Sequence, residues 1–401
     1  MKVLVVGSGG REHALAWAIA RSTSLTELHA APGNPGIAAI ASCHPVRSDD
    51  PASLVPLVRE LGIDLVVVGP EAPLVAGLAD ELRQHGIAVF GPGAAAARIE
   101  GSKAFAKDVM EAAGVPTART FALARPPCVV KADGLAAGKG VWICRTQREL
   151  DAGLRGATSL GQPFHVEELL EGKEVSVFAL CDGSRALALP AAQDYKRAFD
   201  GDEGPNTGGM GSYSPVPHLG ERDVAKLVAT VVEPVLAELA QRRTPFLGCL
   251  FAGLMLTPDG PRVLEFNCRF GDPETQSLLP RLEGDLLAAL AAAAQGDLRG
   301  LSLPVSAQAA VTVGLTAGGY PERGDSGSLI DGVAEAEASG ALVFHAGTAL
   351  QEGRLVTNGG RILGITALGE TVADARSLAY DAAGRIAFAG VRYRLDIAAG
   401  A

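Results

Sequence analysis

The sequence has few cysteines, few lysines and no long hydrophobic run. Its six cysteines stand singly, without metal-ligand spacing, which favours reduced thiols in a cytoplasmic protein. Every apolar run is interrupted by Gly, Pro or a charge before it reaches the roughly 20 residues of a membrane span. Residues 1–3 lead straight into a strand pattern, so no signal peptide is expected. These features argue against disulfide-rich secreted proteins and membrane-spanning proteins.

Positive charge is also scarce. A net charge of −10 over 401 residues argues against broad nucleic-acid binding, so any anion site must be built locally. Only eight of the 35 basic residues are lysines, and four of these (103, 131, 139 and 196) lie in glycine-rich or capped stretches. The compact ammonium of lysine is a common phosphate ligand. With 48% hydrophobic and 20% charged residues, the chain is expected to fold into three or four domains.

Residues 1–100 show a repeated pattern of strand, turn and helix. Helical spacing occurs at Arg11–Arg21 and Leu74–His85, and apolar strands are expected at Lys2–Val6, Glu27–Ala31, Asp64–Val68 and Ile87–Phe90. Each strand ends in a Gly/Pro turn. This pattern predicts a parallel α/β sheet, whose ligands bind at the carboxyl ends of the strands.

The first of these turns has two possible ligands. A dinucleotide motif of the form Gly-x-Gly-x-x-Gly would need glycine at position 12, where Glu12 stands. A short phosphate on the amides of Gly9, Gly10 and Arg11, at a helix N-terminus, therefore fits better than NAD. A purely structural tight turn is the plain alternative.

The next segment predicts a hairpin with a glycine-rich tip. Strands at Cys128–Ala132 and Val141–Cys144 enclose Asp133–Gly140, and a strand follows the tip where a P-loop would require a helix. We therefore expect a lid over phosphates, with Lys131 below it and Lys139 in its tip. Further on, Glu174 follows an acidic turn and is a candidate acceptor for ribose hydroxyls; an ordinary solvated turn is the simpler interpretation.

The longest irregular stretch runs from residue 193 to residue 215. A loop of this length inside a compact chain is usually functional or disordered, and its glycine run and paired charges favour substrate contact. Helices are expected after it at Glu221–Arg242 and Gly284–Gln295.

An apolar strand at residues 263–267 carries two oxygen-bearing side chains. Glu265 and Asn267 share one face of a strand, while Leu264 and Phe266 should point into a core. A carboxylate and an amide oxygen suit a hard cation such as Mg²⁺. Arg269, just past the strand, is placed to hold a phosphate or a carboxylate. The plain alternative is a strand-end glutamate satisfied by local hydrogen bonds.

The last part of the chain predicts an α+β module without a catalytic constellation. Its helix opens at Thr371-x-x-Asp374, and its strands are expected at Ala309–Leu315, Ala341–Phe344, Arg354–Val356 and Ile362–Leu368.

Taken in order, several motifs identify a family. They are GSGGREHALAW, APGNPG, GPEAPL, GSKAF, KADGLAAGKGV, EELLEGKE, QDYKR, GPNTGGMGSYSP, EFNCRFGDPETQ and VTNGGR. Together they resemble, from end to end, the phosphoribosylamine–glycine ligase family, ATP-grasp enzymes of purine biosynthesis. The GPNTGGMG and RFGDPETQ runs are the most specific.

The resemblance implies a multidomain α/β and α+β fold. It would have an N-terminal parallel α/β domain (1–100), an ATP-grasp core (101–117 and 178–308) with a small lid (118–177), and a C-terminal α+β domain (309–401). It also implies an ATP-dependent ligase that joins glycine to 5-phosphoribosylamine through glycyl phosphate. The implied partners are these small molecules, without nucleic acid or membrane; the oligomeric state is not predicted.

The resemblance also carries over individual residues. For ATP these are Lys103, Lys131 and Gly138 at the phosphates, Glu167 and Leu170 at the adenine edge through backbone groups, and Glu174 at the ribose. The ligands of Mg²⁺ or Mn²⁺ would be Glu265 and Asn267, and the catalytic candidates are Lys139, Asp194 and Arg269. The substrate-binding candidates are Gly9, Gly10, Arg11, Gly69, Pro70, Glu71, Lys196, Arg197, Pro205, Asn206, Thr207, Gly208, Gly209, Met210 and Gly211.

This sequence departs from the family pattern in two respects. The segments between Pro116 and Cys128 and between Cys144 and His165 are shorter than usual, which affects the expected position of the lid. In addition, the strand at Leu250–Leu256 offers no acid as a further metal ligand. Three rivals stay open from the residues: another ATP-grasp ligase or carboxylase, an NAD-linked oxidoreductase and a catalytically silent nucleotide sensor. The two most specific motifs argue against another ATP-grasp enzyme, and Glu12 argues against an NAD-linked oxidoreductase. The intact set of lysine, glutamate and asparagine candidates argues against a silent sensor.

Overall fold

The computed structural model describes residues 1–135 and 140–401, whose strands form six sheets. The predicted tip residues Gly138 and Lys139 lie outside the described residues. The N-terminal sheet is parallel, whereas the lid, the core and the C-terminal domain have antiparallel sheets. The predicted multidomain α/β and α+β architecture is confirmed.

The N-terminal sheet has the strand order β3-β2-β1-β4-β5. Its strands are β1 (Lys2–Gly7), β2 (Glu27–Pro32), β3 (Ser42–Cys43), β4 (Leu65–Val68) and β5 (Ala88–Phe90). Four of them match the predicted strands, and the two-residue β3 was missed. Val3 and Val5 pack into one hydrophobic core and Leu4 and Val6 into another, so both faces of the sheet are covered. Continuous apolar runs are typical of such doubly covered parallel strands.

Helices cover this sheet and lead into the core. They are α1 (Gly10–Ile19), α2 (Pro35–Ala38), α3 (Pro51–Leu61), α4 (Glu71–Val75), α5 (Leu78–Gln84), α6 (Ala94–Gly101) and α7 (Lys103–Ala112). The single helix predicted at Leu74–His85 is wrong, because the backbone is interrupted at Gly77, whose φ is +94°. Helix α7 begins as predicted after Ser102, whose hydroxyl accepts a hydrogen bond from the Phe105 amide at 3.2 Å.

The lid is a four-stranded antiparallel sheet with one helix and a small core of its own. Its elements are β6 (Thr120–Phe121), β7 (Cys128–Ala132), β8 (Val141–Cys144), α8 (Gln147–Ser159) and β9 (Phe164–Glu168), in the strand order β6-β9-β7-β8. Val130, Leu150 and Val166 are buried together in that core.

The central part of the chain carries the core sheet and the long predicted loop. Its strands are β10 (Lys173–Asp182), β11 (Ala186–Ala188), β12 (Gln193–Asp194), β13 (Arg197–Phe199), β14 (Glu203–Asn206), β15 (Gly211–Ser214), β16 (Leu247–Thr257) and β17 (Gly260–Asn267). The core sheet has the order β11-β10-β16-β17, and β13 pairs with β14 as a short hairpin inside the loop.

The helices of the core are α9 (Glu221–Leu227), α10 (Glu233–Gln241), α11 (Glu274–Leu278) and α12 (Leu286–Gln295). The long helix predicted at Glu221–Arg242 is present, but a π-helical turn at Val228–Val232 interrupts it. Pro234 follows this turn and lacks the amide N–H that would continue the regular hydrogen-bond ladder.

The C-terminal domain consists of two sheets and two helices. Its elements are β18 (Ala309–Thr316), β19 (Asp325–Leu329), α13 (Val333–Ala338), β20 (Leu342–His345), β21 (Thr348–Gln351), β22 (Arg354–Gly359), β23 (Arg361–Gly369) and α14 (Val372–Ala383). The predicted capping box opens α14, since the Thr371 hydroxyl accepts the Asp374 amide and Asp374 accepts the Thr371 amide, both at 3.1 Å. The short elements β19, β21 and α13 were not predicted.

The main C-terminal sheet extends across the predicted domain boundary. Its strand order is β12-β15-β18-β23-β20. Strands β12 and β15, from the region predicted to belong to the core, therefore lie at one edge of this sheet. Ser212 of β15 pairs with Thr312 of β18, on the other side of residue 309. The long loop therefore starts and ends in strands of the C-terminal sheet, and its last strand, β15, also packs against α11 of the core.

Two further predictions concern the cellular setting. Among the described residues, we find no helix with the length and apolar character needed to span a bilayer. All six cysteines are free, and five of them are buried.

Candidate active site

A cavity of about 1110 Å³ lies between the lid and the core sheet, bordered by both outer domains. Most of the predicted site residues line it: Arg11, Glu71, Lys103, Lys131, Glu167, Leu170, Glu174, Asp194, Lys196, Arg197, Asn206, Thr207, Gly208, Glu265, Asn267 and Arg269. Among the predicted residues that the structure describes, those outside its lining are Gly9, Gly10, Gly69, Pro70, Pro205, Gly209, Met210 and Gly211. Met210 is fully buried in the core of the C-terminal domain, so its side chain has a packing role.

Strand β17 brings Glu265 and Asn267 to the cavity on the same face, as their spacing predicts. Gly253 pairs with Glu265, but Leu254 pairs with Val263, which leaves Leu264 in a β-bulge. Phe266 packs into the core as expected, although it also borders the cavity. Leu264 lines the cavity and is not part of the core cluster that contains Phe266, so the expectation for Leu264 was wrong. The Leu264 carbonyl accepts a hydrogen bond from the Lys131 ammonium at 2.8 Å.

Glu265 and Asn267 fit a divalent cation that shares its coordination with phosphate. Burial opposes ionisation of Glu265, but Lys196 and Lys131 outweigh it and hold its pKa below the ordinary value. Within the described part of the chain, no three His, Cys, Asp or Glu side chains form a group able to hold a metal ion. Two oxygen ligands from the protein are typical of Mg²⁺, which takes its remaining ligands from water and substrate phosphates.

Lys196 lies among carboxylates at the floor of the cavity. Its ammonium is hydrogen-bonded to Glu174 and lies 3.9 Å from Glu265. Burial alone would lower the pKa of Lys196, but the nearby carboxylates of Asp194, Glu174 and Glu265 raise it well above the usual value. Burial raises the pKa of Asp194, and three neighbouring glutamates add to this effect, while Lys196 opposes it. Glu174 is therefore part of the cavity and not of an ordinary solvated turn.

Glu167, on lid strand β9, contacts three basic side chains. Its carboxylate lies 2.8 Å from Lys131, 3.0 Å from Lys107 and 2.8 Å from His165. Burial raises the pKa of this carboxyl, yet its partners dominate and lower it to about 2. The prediction gave Glu167 a role through its backbone; its side chain also fixes Lys131, which is itself buried.

The N-terminus of α7 is joined to the base of the lid tip. Asp133 accepts hydrogen bonds from the amides of Lys103 at 2.5 Å and Ala104 at 3.3 Å. The Lys103 ammonium donates to the Gly134 carbonyl at 3.3 Å. A carboxylate at a helix N-terminus is favourable because it meets free amides and the positive end of the helix dipole.

Arg269 belongs to an ionic cluster between the N-terminal domain and the core. Its guanidinium lies 3.1 Å from Glu71 and 3.0 Å from Glu100. Burial lowers the pKa of Arg269, but these carboxylates raise it overall, so Arg269 keeps its charge. Glu100 also accepts the amide of Cys268 at 2.8 Å. The arginine thus orders the end of β17 in addition to facing the cavity.

Glu12 explains why the first turn is not a dinucleotide site. Its carboxylate accepts the Gly9 amide at 2.6 Å and folds back under the turn. A Cβ at Gly69 would stand 2.1 Å from Glu12 Oε1, so the carboxyl group lies directly between the first turn and Gly69. The Gly9 amide is thereby engaged, which leaves those of Gly10 and Arg11 for the predicted phosphate.

The two most specific motifs pack against each other. A Cβ at Gly209 would stand 2.3 Å from Pro273 Cδ, and the φ of Gly209 is +111°. The Ser212 hydroxyl donates to the Pro273 carbonyl at 2.9 Å. The GPNTGGMG run and the RFGDPETQ run therefore form two sides of one contact.

Several residues at the site were not predicted, including Lys107, Glu100, Tyr320 and Arg361. Lys107 had a signal in the sequence, because it lies four residues after Lys103 and so on the same helix face. Arg361 lies in the VTNGGR motif, but the sequence does not indicate what its side chain contacts.

Comparison with known proteins identifies the same family over nearly the whole chain. Three profiles of phosphoribosylglycinamide synthetase match: the N domain at residues 1–100, the ATP-grasp (A) domain at 101–275 and the C domain at 310–400. A phosphoribosylamine–glycine ligase of Brucella melitensis is 50% identical, with 99% of this chain and 97% of that protein covered. One from Streptomyces coelicolor is also 50% identical, with 100% and 99% covered.

Solved structures agree with this result. The crystal structure of phosphoribosylamine–glycine ligase from Thermotoga maritima has a TM-score of 0.85 at 34% identity and covers 99% of this chain and 100% of that one. The ADP complex of N5-carboxyaminoimidazole ribonucleotide synthetase has a TM-score of 0.67 at 17% identity, covering 95% and 96%. The second similarity concerns the fold alone.

Proposed function

The chain belongs to the phosphoribosylglycinamide synthetase family, and from this membership we propose which of its residues carry the reaction. It is an ATP-dependent ligase of purine biosynthesis that joins glycine to 5-phosphoribosylamine. Its family acts on small-molecule substrates, and ATP-grasp enzymes generally use ATP with a divalent metal ion. The choice of Mg²⁺ or Mn²⁺ and the role of each residue are our proposals.

The lid side of the cavity binds ATP. Lys131 and Lys103 contact its phosphates, with Gly138 proposed beside them from the sequence. The backbone of Glu167 and Leu170 meets the adenine edge. Glu174 accepts hydrogen bonds from the ribose hydroxyls. The Glu174 carboxylate is bonded to Lys196 in this structure, so it must then either bind both partners or give up Lys196. This arrangement is supported by the common cavity of Lys103, Lys131, Glu167, Leu170 and Glu174.

Glu265 and Asn267 hold the Mg²⁺ or Mn²⁺ ion. When bound, such an ion neutralises phosphate charge and orients the phosphoryl group. The proposal is supported by the oxygen donors of this pair and by the cations that keep Glu265 ionised.

The reaction has two steps. Oxygen of the glycine carboxylate attacks the γ-phosphorus of ATP, so glycyl phosphate forms and ADP leaves. The amine of 5-phosphoribosylamine then attacks the glycyl carbonyl, releasing phosphate and a proton and forming the amide. Phosphate is a much better leaving group than oxide, which is why activation is needed.

The protein contributes position and charge to these steps. Lys196, Arg197, Arg269 and the amides of the 204–211 run are proposed to bind the carboxylate and phosphate groups of glycine and phosphoribosylamine. Asp194, whose pKa is raised by burial and by neighbouring carboxylates, is proposed as the residue facing the amine. Lys139 and the lid are proposed to exclude water from the acyl phosphate.

The observation that carries the assignment is that the described ATP and metal candidates line one cavity together with seven of the substrate candidates, in a chain of this family. ADP release should require ATP, glycine and phosphoribosylamine together. An assay in which each substrate is omitted in turn tests this requirement. Equal turnover with alanine or bicarbonate in place of glycine would contradict the assignment.

Glu265→Gln should reduce ADP release by about 10²–10³-fold, the usual effect of removing one preorganised electrostatic group. The amide keeps the shape of the carboxylate but removes the charge that attracts the metal. Asp259→Asn, an exposed acid in the β16–β17 turn, is the matched control and should keep normal activity. Near-normal turnover in the Glu265 variant would remove Glu265 from this role.

A cytoplasmic location is a further proposal. It is supported by the six cysteines, all of which are free thiols.

A further inference from the structure

Arg361 comes from the C-terminal domain, for which the sequence predicted no active-site role, yet its side chain lines the cavity. It stands at the start of β23, and its guanidinium donates to the Gly208 carbonyl at 2.6 Å and to the Gly209 carbonyl at 3.3 Å. These carbonyls belong to the GPNTGGMG run. A single side chain from a third domain is thus bonded to the proposed substrate loop.

The same guanidinium is also hydrogen-bonded to the RFGDPETQ run. It donates to the backbone carbonyl of Asp272 at 2.9 Å and to its carboxylate at 2.5 Å. Arginine is suited to this task, because its planar fork bonds several acceptors at fixed angles, which the single ammonium of lysine does not. Burial lowers the pKa of Arg361, but Asp272 raises it overall, so the guanidinium is charged.

A second side chain of the C-terminal domain holds the loop beside Arg361. The hydroxyl of Tyr320 accepts a hydrogen bond from the Gly208 amide at 2.9 Å. Gly208 is therefore bonded on its amide side by Tyr320 and on its carbonyl side by Arg361. Asn206, two residues earlier, lines the cavity and donates to the Val141 carbonyl of the lid at 3.3 Å.

We propose that Arg361 is a positioning residue for the glycine and phosphoribosylamine half of the cavity. It fixes the 204–211 run against the turn at Asp272 and so sets the positions of Asn206, Thr207 and Gly208 in the cavity lining. This inference rests on the proposed function. Beyond that function, the C-terminal domain would affect the binding of glycine and phosphoribosylamine. The binding of ATP would not depend on Arg361.

Steady-state kinetics of Arg361→Gln and Arg361→Lys test the proposal, with phosphoribosylamine generated from ribose 5-phosphate and ammonia. Both variants should raise the KM for glycine and for phosphoribosylamine at least about tenfold, because a displacement near 1 Å can change rates by about a hundredfold. The KM for ATP should stay within about twofold. Arg354→Gln, an exposed arginine on neighbouring β22, is the matched control and should match the wild type.

The lysine variant separates positioning from direct contact. If Arg361→Lys has wild-type KM values, then a positive charge at this position is sufficient. Arg361 would in that case contact the substrate phosphate directly, and the positioning role would be wrong. Unchanged KM values for both substrates in Arg361→Gln would overturn it, and so would an equal rise in the KM for ATP. If the wild-type protein itself shows no glycine-dependent turnover, the proposed function fails instead.

Tyr320→Phe gives a second test that does not change the charge. It removes only the hydroxyl that accepts the Gly208 amide, and it should raise the same two KM values by a smaller factor. In the double variant with Arg361→Gln, the effects should be less than additive, since both side chains act on Gly208. Full additivity, with a normal melting temperature in each variant, would contradict a shared action on the loop.

Discussion

Several charged residues of the cavity are paired with opposite charges, some of them from distant parts of the chain. Lys131 is paired with Glu167, and Arg269 with Glu71 and Glu100. In a partly buried site, removal of one partner leaves an uncompensated charge, which is more damaging than loss of the interaction alone. The carboxylates of the site are therefore as informative as its cations.

Glu167→Gln should raise the KM for ATP roughly 10–100-fold, because hydrogen bonds to charged groups contribute about 1.5–3 kcal/mol and Lys131 would lose its fixed position. The KM for glycine should change little. Nucleotide titration and steady-state kinetics measure both effects. Glu171→Gln, an exposed acid in the turn that follows, is the control. An unaltered KM for ATP would show that Lys131 does not depend on Glu167.

At this scale, the sequence predicted which strand face a side chain occupies but not which partner it contacts. The spacing of Glu265 and Asn267 placed both on one strand face, because alternation is a local property. Glu100 as the partner of Arg269 could not be predicted, since 169 positions separate them and only the packed fold brings them together. The same holds for Glu12, whose presence at position 12 was noted but whose place under Gly69 was not.

At the scale of elements, the contact between the two specific motifs depends on a residue without a side chain. Gly209→Ala should destabilise the protein by about 1–2 kcal/mol through its positive φ, and by more through overlap with Pro273. We expect a lower melting temperature and a loss of activity at least comparable to that of Arg361→Gln. Thermal unfolding and kcat/KM are the measurements.

Gly201→Ala is the matched control for this change. Gly201 lies in the same loop and also has a positive φ, of +70°, but a Cβ added there would meet no atom within 4 Å. It should show the conformational penalty without the steric one. If the two variants behave alike, the contact between Gly209 and Pro273 is not important.

Elements with a continuous apolar run or a capping signal were predicted well, as β1 and α14 illustrate. The bulge at Leu264 was not, because it depends on the register with β16, which the sequence of one strand does not contain. The π-helical turn could not be predicted from Pro234 alone, since a proline in a helical pattern can also end the helix or kink it.

At the scale of the whole molecule, two buried histidines join the first and last domains. The His345 amide donates to His13 Nδ1 at 2.8 Å, and Asn34 donates to the His345 carbonyl at 2.8 Å. Burial lowers the pKa of His13 to about 3, with a further contribution from His345. Burial also lowers the pKa of His345 to about 4.

These shifts predict a loss of stability in mild acid. Between pH 6.5 and about 4, the unfolded chain binds protons on both histidines while the folded chain does not. The free energy of unfolding should therefore fall as pH falls through this range, by up to about 1.4 kcal/mol per pH unit for each histidine. Melting temperatures measured from pH 7.5 to pH 4.5 test the prediction.

The double variant His13→Asn, His345→Asn should have a flatter pH dependence, because neither asparagine takes up a proton in this range. His85→Gln, at the exposed end of α5, should keep the wild-type dependence. An equally steep dependence in the double variant would assign the acid sensitivity to other groups.

The path of the C-terminal sheet was not predictable from the motif order. Strands β12 and β15 are short and lie about 100 residues before β18, and pairing over such distances leaves no local signal. The domain boundaries proposed from the sequence therefore cut through a hydrogen-bonded sheet.

This shared sheet has a consequence for recombination between relatives. In a chimera joined at residue 309, β15 from one parent would pair with β18 from the other. The loop that ends in β15 would then pack against a strand with which it did not evolve. Swapped C-terminal segments should therefore alter how the enzyme handles its amine and amino acid, even where every inserted residue lies outside the nucleotide pocket. Evolution of this terminal region and of the loop is expected to proceed in step.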